Sequence, residues 1–132
     1  MAHVLVVDDE PEIVKLIQKI LEQRGHRVTI ARDGHEALEL VPRDRPDVVV
    51  LDLNLPRIDG FEVCRRLKAN AATRPIPVVM MTAAYPTLDD AVKGLGLGAD
   101  EYVVKPFLRE VLIHNVERLL ESKRGGEADP TV

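Results

Sequence analysis

The chain has 132 residues, of which 45% are hydrophobic and 30% are charged, and this suits one compact domain. The high content of Val, Leu and Ile excludes intrinsic disorder, and a single cysteine, Cys64, excludes an internal disulfide. The net charge is −4, which argues against a general basic surface for nucleic acid. No apolar run approaches the roughly 18 residues of a membrane span, and none resembles a signal peptide. We therefore expect a cytoplasmic protein with neither nucleic acid nor membrane as a partner.

Short apolar runs alternate with longer helical patterns along the chain, which is typical of βα units around a parallel sheet. Runs that are apolar at every position predict strands covered on both faces. The five predicted strands are 4–7, 27–31, 48–51, 78–81 and 102–104. The sequence therefore predicts an α/β fold built from five strand and helix units.

Capping residues mark where the first three helices begin and end. Pro11 suits the first turn of a helix, and Gly25 is placed to end that helix. Asp33 and Asp59 each stand three residues before a Glu, which resembles a capping box. We therefore expect further helices to begin near positions 34 and 60.

Two more helices are predicted in the second half of the chain, over 88–97 and 107–121. Gly94 and Gly96 weaken the first of them, at about 1 kcal/mol each relative to Ala. The second should bury one broad apolar face made of Leu108, Val111, Leu112, Val116, Leu119 and Leu120. The last residues of the chain are mostly polar, and their few apolar side chains have no regular spacing. We therefore expect a domain over 1–122 and a flexible tail or linker over 123–132.

Polar side chains follow four of the predicted strands, at the sheet edge where ligands of open parallel sheets gather. They are Asp8 and Asp9 after the first strand, Asp52 after the third, Thr82 after the fourth and Lys105 after the fifth. Clustered carboxylates repel one another unless a cation offsets them, and their oxygens suit Mg²⁺. Asp52 stands between apolar neighbours and is the natural nucleophile for an acyl phosphate. Thr82 and Lys105 would then contact phosphoryl oxygens.

Four stretches of the sequence match one known family in order and spacing. They are VLVVDDE at 4–10, VVVLDLNLP at 48–56 with DG at 59–60, MMTA at 80–83 and GADEYVVKPF at 98–107. With these stretches the chain resembles the receiver domain of bacterial two-component response regulators over residues 3 to about 122. The resemblance implies a flavodoxin-like doubly wound (βα)5 fold, with a five-stranded parallel sheet in the order 2-1-3-4-5 and helices on both faces.

The resemblance also implies a phosphoacceptor and a metal site. Asp52 would accept the phosphoryl group, and the cofactor would be Mg²⁺. The side chains of Asp9 and Asp52 and the backbone carbonyl of Asn54 would bind the ion, with Asp8 acting mainly through water.

Further residues are assigned to a conformational switch by the same resemblance. Thr82 and Lys105 contact the phosphoryl group, Tyr102 occupies the switch-aromatic position, and the peptide bond from Lys105 to Pro106 is typically cis. The implied function is a phosphorylation-dependent signalling switch whose donor is a histidine kinase or a phosphotransfer protein. Its chemistry would be self-phosphorylation and self-dephosphorylation only. A homodimer is expected through the face of the predicted helix over 88–97, the fifth strand and the last helix.

Two other classes of function are alternatives to this switch. A phosphatase that forms an aspartyl phosphate usually has a second acid two residues after its nucleophile, where this chain has Asn54. A flavin-binding flavodoxin-like module would place a phosphate at the first βα loop, which is acidic at Asp8, Asp9 and Glu10. Cys64 has helical spacing from apolar neighbours, which predicts a small buried side chain and not a nucleophile.

Overall fold

The computed structural model of the protein describes residues 2–82, 96 and 98–128. Its centre is a sheet of five strands, β1 (His3–Val7), β2 (Arg27–Ala31), β3 (Val48–Asp52), β4 (Val78–Thr82) and β5 (Glu101–Val104). All neighbouring strands are parallel, and their order is β2-β1-β3-β4-β5. Each observed strand agrees with its predicted range to within one residue at either end, so the predicted sheet is confirmed.

The described helices are α1 (Pro11–Gln23), α2 (Gly34–Asp44), α3 (Gly60–Ala69) and α4 (Arg109–Ala128). The side chains of Asp33 and Asp59 each accept a hydrogen bond of 2.9 Å from the backbone N–H of the Glu three residues later. Gly25 follows α1 with a φ of 86°, in the left-handed region that favours glycine. The predicted starts of three helices are therefore confirmed.

Two apolar layers enclose the sheet, one on each face. On one face Val4 and Val6 of β1 belong to a cluster that includes residues of α1 and α4. On the other face Leu5 and Val7 belong to a cluster with residues of α2 and α3. Alternate side chains of one strand thus enter different layers, as a doubly wound parallel sheet requires. The predicted fold class is confirmed.

The apolar face of α4 differs from its prediction at two positions. Leu112, Val116, Leu119 and Leu120 are buried, as expected, but Leu108 is 70% exposed and Val111 is 42% exposed. Leu108 precedes the first residue of the helix, so it does not share the helical period. Val111 lies about 100° around the axis from Leu112, outside the buried stripe. The predicted apolar face was therefore too broad.

Some predictions concern segments that the structure leaves undescribed or bounds differently. The predicted helix over 88–97 lies outside the described residues, apart from residue 96. The last helix begins at Arg109 and continues to Ala128, past its predicted end at 121. The division into a domain over 1–122 and a tail over 123–132 stays a prediction. Among the described residues, no helix is both long and apolar enough to cross a membrane.

Candidate functional site

Polar residues from four strands come together at the carboxyl edge of the sheet. Asp52 and Thr82 are the last residues of β3 and β4, and Asp8 and Lys105 follow β1 and β5. Backbone hydrogen bonds continue past the strand ends, because the N–H of Lys105 donates to the carbonyl of Thr82 at 2.7 Å. The parallel register therefore brings these residues to one edge of the sheet, where the side chains of Asp8, Asp52 and Lys105 meet.

A close contact between the start of α3 and the end of β3 fixes the backbone next to the site. The N–H of Gly60 donates to the carbonyl of Leu53 at 3.0 Å, so the first residue of α3 lies against the strand end. A Cβ atom at position 60 would stand 2.4 Å from the backbone oxygen of Asp52. Only glycine permits this approach, and the approach fixes the backbone that carries Asp52.

The ammonium group of Lys105 is surrounded by carboxylates. Its Nζ lies 2.8 Å from Oδ2 of Asp8, 3.2 Å from Oε1 of Glu10 and 3.4 Å from Oδ1 of Asp52. The first two contacts are hydrogen bonds, and the third is an ion pair. Lys105, Asp8 and Asp52 are all buried. Buried charges require pairing of this kind, and Lys105 supplies it to two buried acids at once.

Asp52 is the least satisfied polar group of the site. Its side chain is 1% exposed, yet among the described residues neither carboxylate oxygen accepts a well-aligned hydrogen bond, although the Lys105 ammonium and the Asn54 backbone N–H lie close to it. Burial raises the pKa of Asp52, and the charge of Asp8 raises it further, against the opposing influence of Lys105 and the amide of Asn54. A buried carboxylate without well-aligned hydrogen bonds is costly, and it is therefore expected where a ligand or a reaction requires it.

Lys105 remains a cation despite its burial. Desolvation by itself would lower the pKa of Lys105, but the hydrogen bond to Asp8 and the charges of Asp52 and Asp8 outweigh it. The net effect is a raised pKa, so the ammonium form persists near neutral pH. The site thus keeps one positive charge against its acidic residues.

The residues present fit a magnesium ion. Carboxylate oxygens of Asp8, Glu10 and Asp52 all lie within 4.8 Å of one another. Mg²⁺ prefers such oxygen ligands, and neither oxygen of Asp52 is taken by a well-aligned hydrogen bond from a described residue. Asp9 is exposed and stands outside this group of three, and Asn54 is exposed just after β3. Of the predicted metal residues, the structure therefore brings Asp8 and Asp52 directly together.

Glu10 is a member of the site that the sequence analysis did not assign. Its side chain reaches Lys105, while its backbone N–H donates to Oδ1 of Asp8 at 3.0 Å. A signal was present, because three acidic residues follow the first strand in succession. That pattern does not show which of the three side chains turns towards a lysine almost a hundred positions later.

The remaining predicted residues lie around this centre. Thr82 and Tyr102 are half-buried. Tyr102 packs against the apolar layer between the sheet and the helices α2 and α3. The Lys105–Pro106 peptide bond is cis, the geometry that the resemblance implies. Cys64 is fully buried in the same apolar layer, and burial raises the pKa of its thiol to about 11, so it is no nucleophile at neutral pH.

The fold and this acidic edge define a class of protein. Residues 4–117 match the family described as the response regulator receiver domain. The chain belongs to this family, whose members act in phosphorylation-dependent two-component signalling. The signalling interpretation of the sequence is thus confirmed at the level of the family.

Named relatives support this assignment. The chain is 40% identical over 130 residues to the response regulator MprA of Mycobacterium leprae (strain TN), covering 98% of this chain and 56% of that protein. It spans about half the length of the curated relatives it matches.

Solved structures show the same likeness. The signal receiver domain of a signal transduction histidine kinase from Syntrophus aciditrophicus has a TM-score of 0.85 and 34% identity, with 92% of each chain covered. The receiver domain of the sensor histidine kinase PA1611 from Pseudomonas aeruginosa PAO1 has a TM-score of 0.83 and 31% identity, over 91% of this chain and 98% of that one. The latter holds a magnesium ion coordinated in its active site cleft.

Proposed function

We propose that Asp52 accepts the phosphoryl group in this receiver domain, from a phosphohistidine of a histidine kinase or a phosphotransfer protein. The observation that carries the proposal is the buried carboxylate of Asp52, whose oxygens accept no well-aligned hydrogen bond from any described residue, while Lys105 stands 3.4 Å away. One of these oxygens attacks phosphorus as the bond from phosphorus to the imidazole nitrogen breaks, and the imidazole keeps that electron pair. The product is an aspartyl phosphate.

We propose Asp9, Asp52, Asn54 and Asp8 as the residues that hold Mg²⁺. The side chains of Asp9 and Asp52 and the carbonyl of Asn54 would bind the ion, and Asp8 would act through water. When bound, the ion offsets the negative charge of the carboxylates and of the phosphoryl oxygens. The clustered oxygens of Asp8 and Asp52 support this assignment, and so does the magnesium in the related PA1611 receiver domain.

The phosphoryl oxygens would be held by Thr82 and Lys105. Thr82 ends the strand next to that of Asp52, Lys105 follows the strand after it, and a backbone hydrogen bond of 2.7 Å between the two couples their positions. The Lys105 ammonium supplies a charge that is already in place, so little reorganisation is required as negative charge builds up on the donor. The chemistry proposed for the domain is limited to gaining and losing this one group, with no turnover of an external substrate.

The output of the domain would be a conformational switch. Thr82 would move towards the phosphoryl group, and Tyr102 would turn inward beside it. Moving a two-state equilibrium from 1:99 to 99:1 requires about 5.5 kcal/mol of differential interaction, which a dianion held by a hydroxyl, an ammonium and Mg²⁺ can supply. The face of residues 88–97, β5 and α4 would change with this switch, and a homodimer would form through it.

Intact-mass analysis tests the phosphoacceptor. With Mg²⁺ and acetyl phosphate, the wild-type protein should gain one phosphoryl group, and Asp52→Asn should gain none. Asp44→Asn, a change of the same kind at the end of α2, should be labelled like the wild type. Equal labelling of wild type and Asp52→Asn would show that Asp52 is not the phosphoacceptor.

Hydrogen exchange tests the switch. Beryllofluoride with Mg²⁺, an acyl phosphate mimic, should change amide exchange mainly between Thr82 and Phe107 and leave α1, β1 and β3 nearly unchanged. Asp52→Asn with the same additions serves as the control. Uniform protection of the whole chain would show that the ligands only stabilise the fold, and the switch would then be abandoned.

A further inference from the structure

Glu10 departs from the ordinary use of a helix start. It occupies the N-cap position of α1 with φ −88° and ψ 110°, but its side chain makes no capping hydrogen bond. N-cap positions favour short side chains such as Ser or Asp, whose oxygen reaches an N–H of the first turn. Glu10 instead accepts a hydrogen bond of 3.2 Å from the ammonium of Lys105. Helix α1 therefore has no side-chain cap, and the carboxylate of Glu10 is the third one in contact with Lys105.

The exposure of the three carboxylates around Lys105 sets Glu10 apart. The Glu10 side chain is 58% exposed, whereas those of Asp8 and Asp52 are 0% and 1% exposed. Glu10 can therefore rotate into water at little cost, while the two buried acids cannot move without disturbing the strand ends. A lysine ammonium has three donor hydrogens, and Asp8 and Glu10 take two of them. Among the described residues, Asp52 accepts no well-aligned hydrogen bond.

We propose that Glu10 is a positioning residue, which occupies a donor hydrogen of Lys105 until an oxygen of the phosphoryl group replaces it. The proposal rests on the proposed function of Asp52. Glu10 forms no covalent bond and transfers no proton, because only the acceptor of one N–H of Lys105 changes from a carboxylate oxygen to a phosphoryl oxygen. Asp8 and Glu10 take two N–H groups of Lys105, and the third faces Asp52 at 3.4 Å. A phosphoryl donor that needs a second N–H of Lys105 must therefore compete with Glu10, and Glu10 raises the donor concentration needed for phosphorylation.

Two substitutions separate the contact from the charge of Glu10. Glu10→Gln keeps the length of the side chain and removes its charge. Glu10→Asp keeps the charge, but its side chain is one methylene shorter and does not reach Lys105. Glu12→Gln removes an equal charge from an exposed position two residues away, in the first turn of α1, and is the matched control.

The rate of phosphorylation is measured against acetyl phosphate concentration, at Mg²⁺ levels that saturate each variant. In both Glu10→Asp and Glu10→Gln the half-saturating donor concentration should fall roughly three- to tenfold, with the maximal rate within about twofold of wild type. Glu12→Gln should match the wild type. If Glu10→Gln alone lowers the half-saturating concentration, the effect is one of charge and the positioning role is overturned.

A second measurement does not depend on phosphorylation. In metal-free protein, the ¹⁵N signal of the Lys105 ammonium should shift in Glu10→Asp and Glu10→Gln but not in Glu12→Gln. Variants that match the wild type in this signal and in donor dependence overturn the role of Glu10 while Asp52 remains the acceptor. A wild-type protein that is never labelled at Asp52 overturns the proposed function, and the role of Glu10 falls with it.

Discussion

Lys105 donates a hydrogen bond of 2.8 Å to Asp8 across 97 positions of sequence, and both side chains are almost completely buried. The other carboxylate oxygen of Asp8 accepts the backbone N–H of Glu10 at 3.0 Å. Forming a buried ion pair is costly, but leaving one partner uncompensated costs more. Lys105 therefore contributes to the stability of the sheet edge as well as to the chemistry proposed there.

Removing this cation should destabilise the metal-free protein. Lys105→Met leaves Asp8 and Asp52 buried without a positive neighbour, so we expect the free energy of unfolding to fall by about 3 kcal/mol. Mg²⁺ should restore part of the loss, because it supplies charge to the same carboxylates. Urea unfolding at pH 7 with and without Mg²⁺ measures both effects. Lys19→Met, at an exposed position of α1, is the control, and equal losses in the two variants would contradict the expectation.

Asp9 offers a test of the proposed magnesium ligands. Its side chain is exposed, so Asp9→Ala should change the free energy of unfolding by less than about 0.5 kcal/mol in metal-free protein. Its loss from the ligand set should weaken Mg²⁺ binding about tenfold or more and slow phosphorylation. A Mg²⁺ titration of wild type, Asp9→Ala and Glu12→Ala checks this. If Asp9→Ala binds Mg²⁺ with wild-type affinity, Asp9 is not a ligand, and Asp8, Glu10 and Asp52 remain as the candidate ligands.

The contact of Gly60 with β3 predicts a steric effect on the acceptor. Gly60→Ala would place its Cβ 2.4 Å from the backbone oxygen of Asp52, so either the strand end or α3 must move. We expect a loss of about 1–3 kcal/mol in stability, together with slower labelling of Asp52.

Gly96→Ala provides the contrast for Gly60, since a Cβ at position 96 meets nothing within 4 Å. This variant should keep the wild-type labelling rate and stability, or gain up to about 1 kcal/mol. Thermal unfolding and acetyl phosphate labelling are measured side by side. A Gly60→Ala protein that labels at the wild-type rate would show that the close approach does not position Asp52.

A surface cluster predicts the response of stability to acid. Glu117 of α4 lies 2.7 Å from Nη2 of Arg24 and 3.0 Å from Nε2 of His26. Hydrogen bonds from Arg24 and then His26 lower the pKa of Glu117 from 4.5 to about 2. The ionised carboxylate therefore favours the folded state fully above about pH 4.5, and this contribution is lost as pH falls towards 2.

Glu117→Gln should therefore be less stable than wild type at pH 7, and the difference should shrink as pH falls from 4.5 to 2. Urea unfolding at several pH values across this window measures it. Glu121→Gln, at an exposed position of the same helix, should differ little from wild type at any pH. A Glu117→Gln deficit that persists unchanged at pH 2 would assign the effect to packing and not to the charge.

The sheet and the position of Asp52 at its edge were predictable because both depend on local pattern. Apolar runs mark β1, β3 and β4, and an acid that ends such a run must emerge at the sheet edge. That rule predicts Asp8 and Asp52 at the same place, since parallel strands share one carboxyl edge. The capping roles of Asp33 and Asp59 were equally predictable from the sequence, because each accepts a hydrogen bond from an N–H only three positions away.

Other features depend on the direction of a long side chain, which no local pattern reports. Glu10 turns towards Lys105, and Arg24 reaches Glu117 across 93 positions of sequence. Leu108 has the spacing of a core residue but stands outside α4, because the helix begins one residue later. Helical periodicity cannot show where a helix starts when no capping residue marks the place.

The position of β3 between β1 and β4 has a consequence for how the proposed acceptor, Asp52, would meet its donors. A strand paired on both sides cannot slide or tilt without breaking two ladders of hydrogen bonds, so Asp52 presents the same geometry to every donor. A bulky protein phosphohistidine and a small acyl phosphate would then encounter an identical target. Differences in transfer rate between such donors should therefore report how each one approaches the sheet edge, and comparing them would measure recognition separately from reactivity.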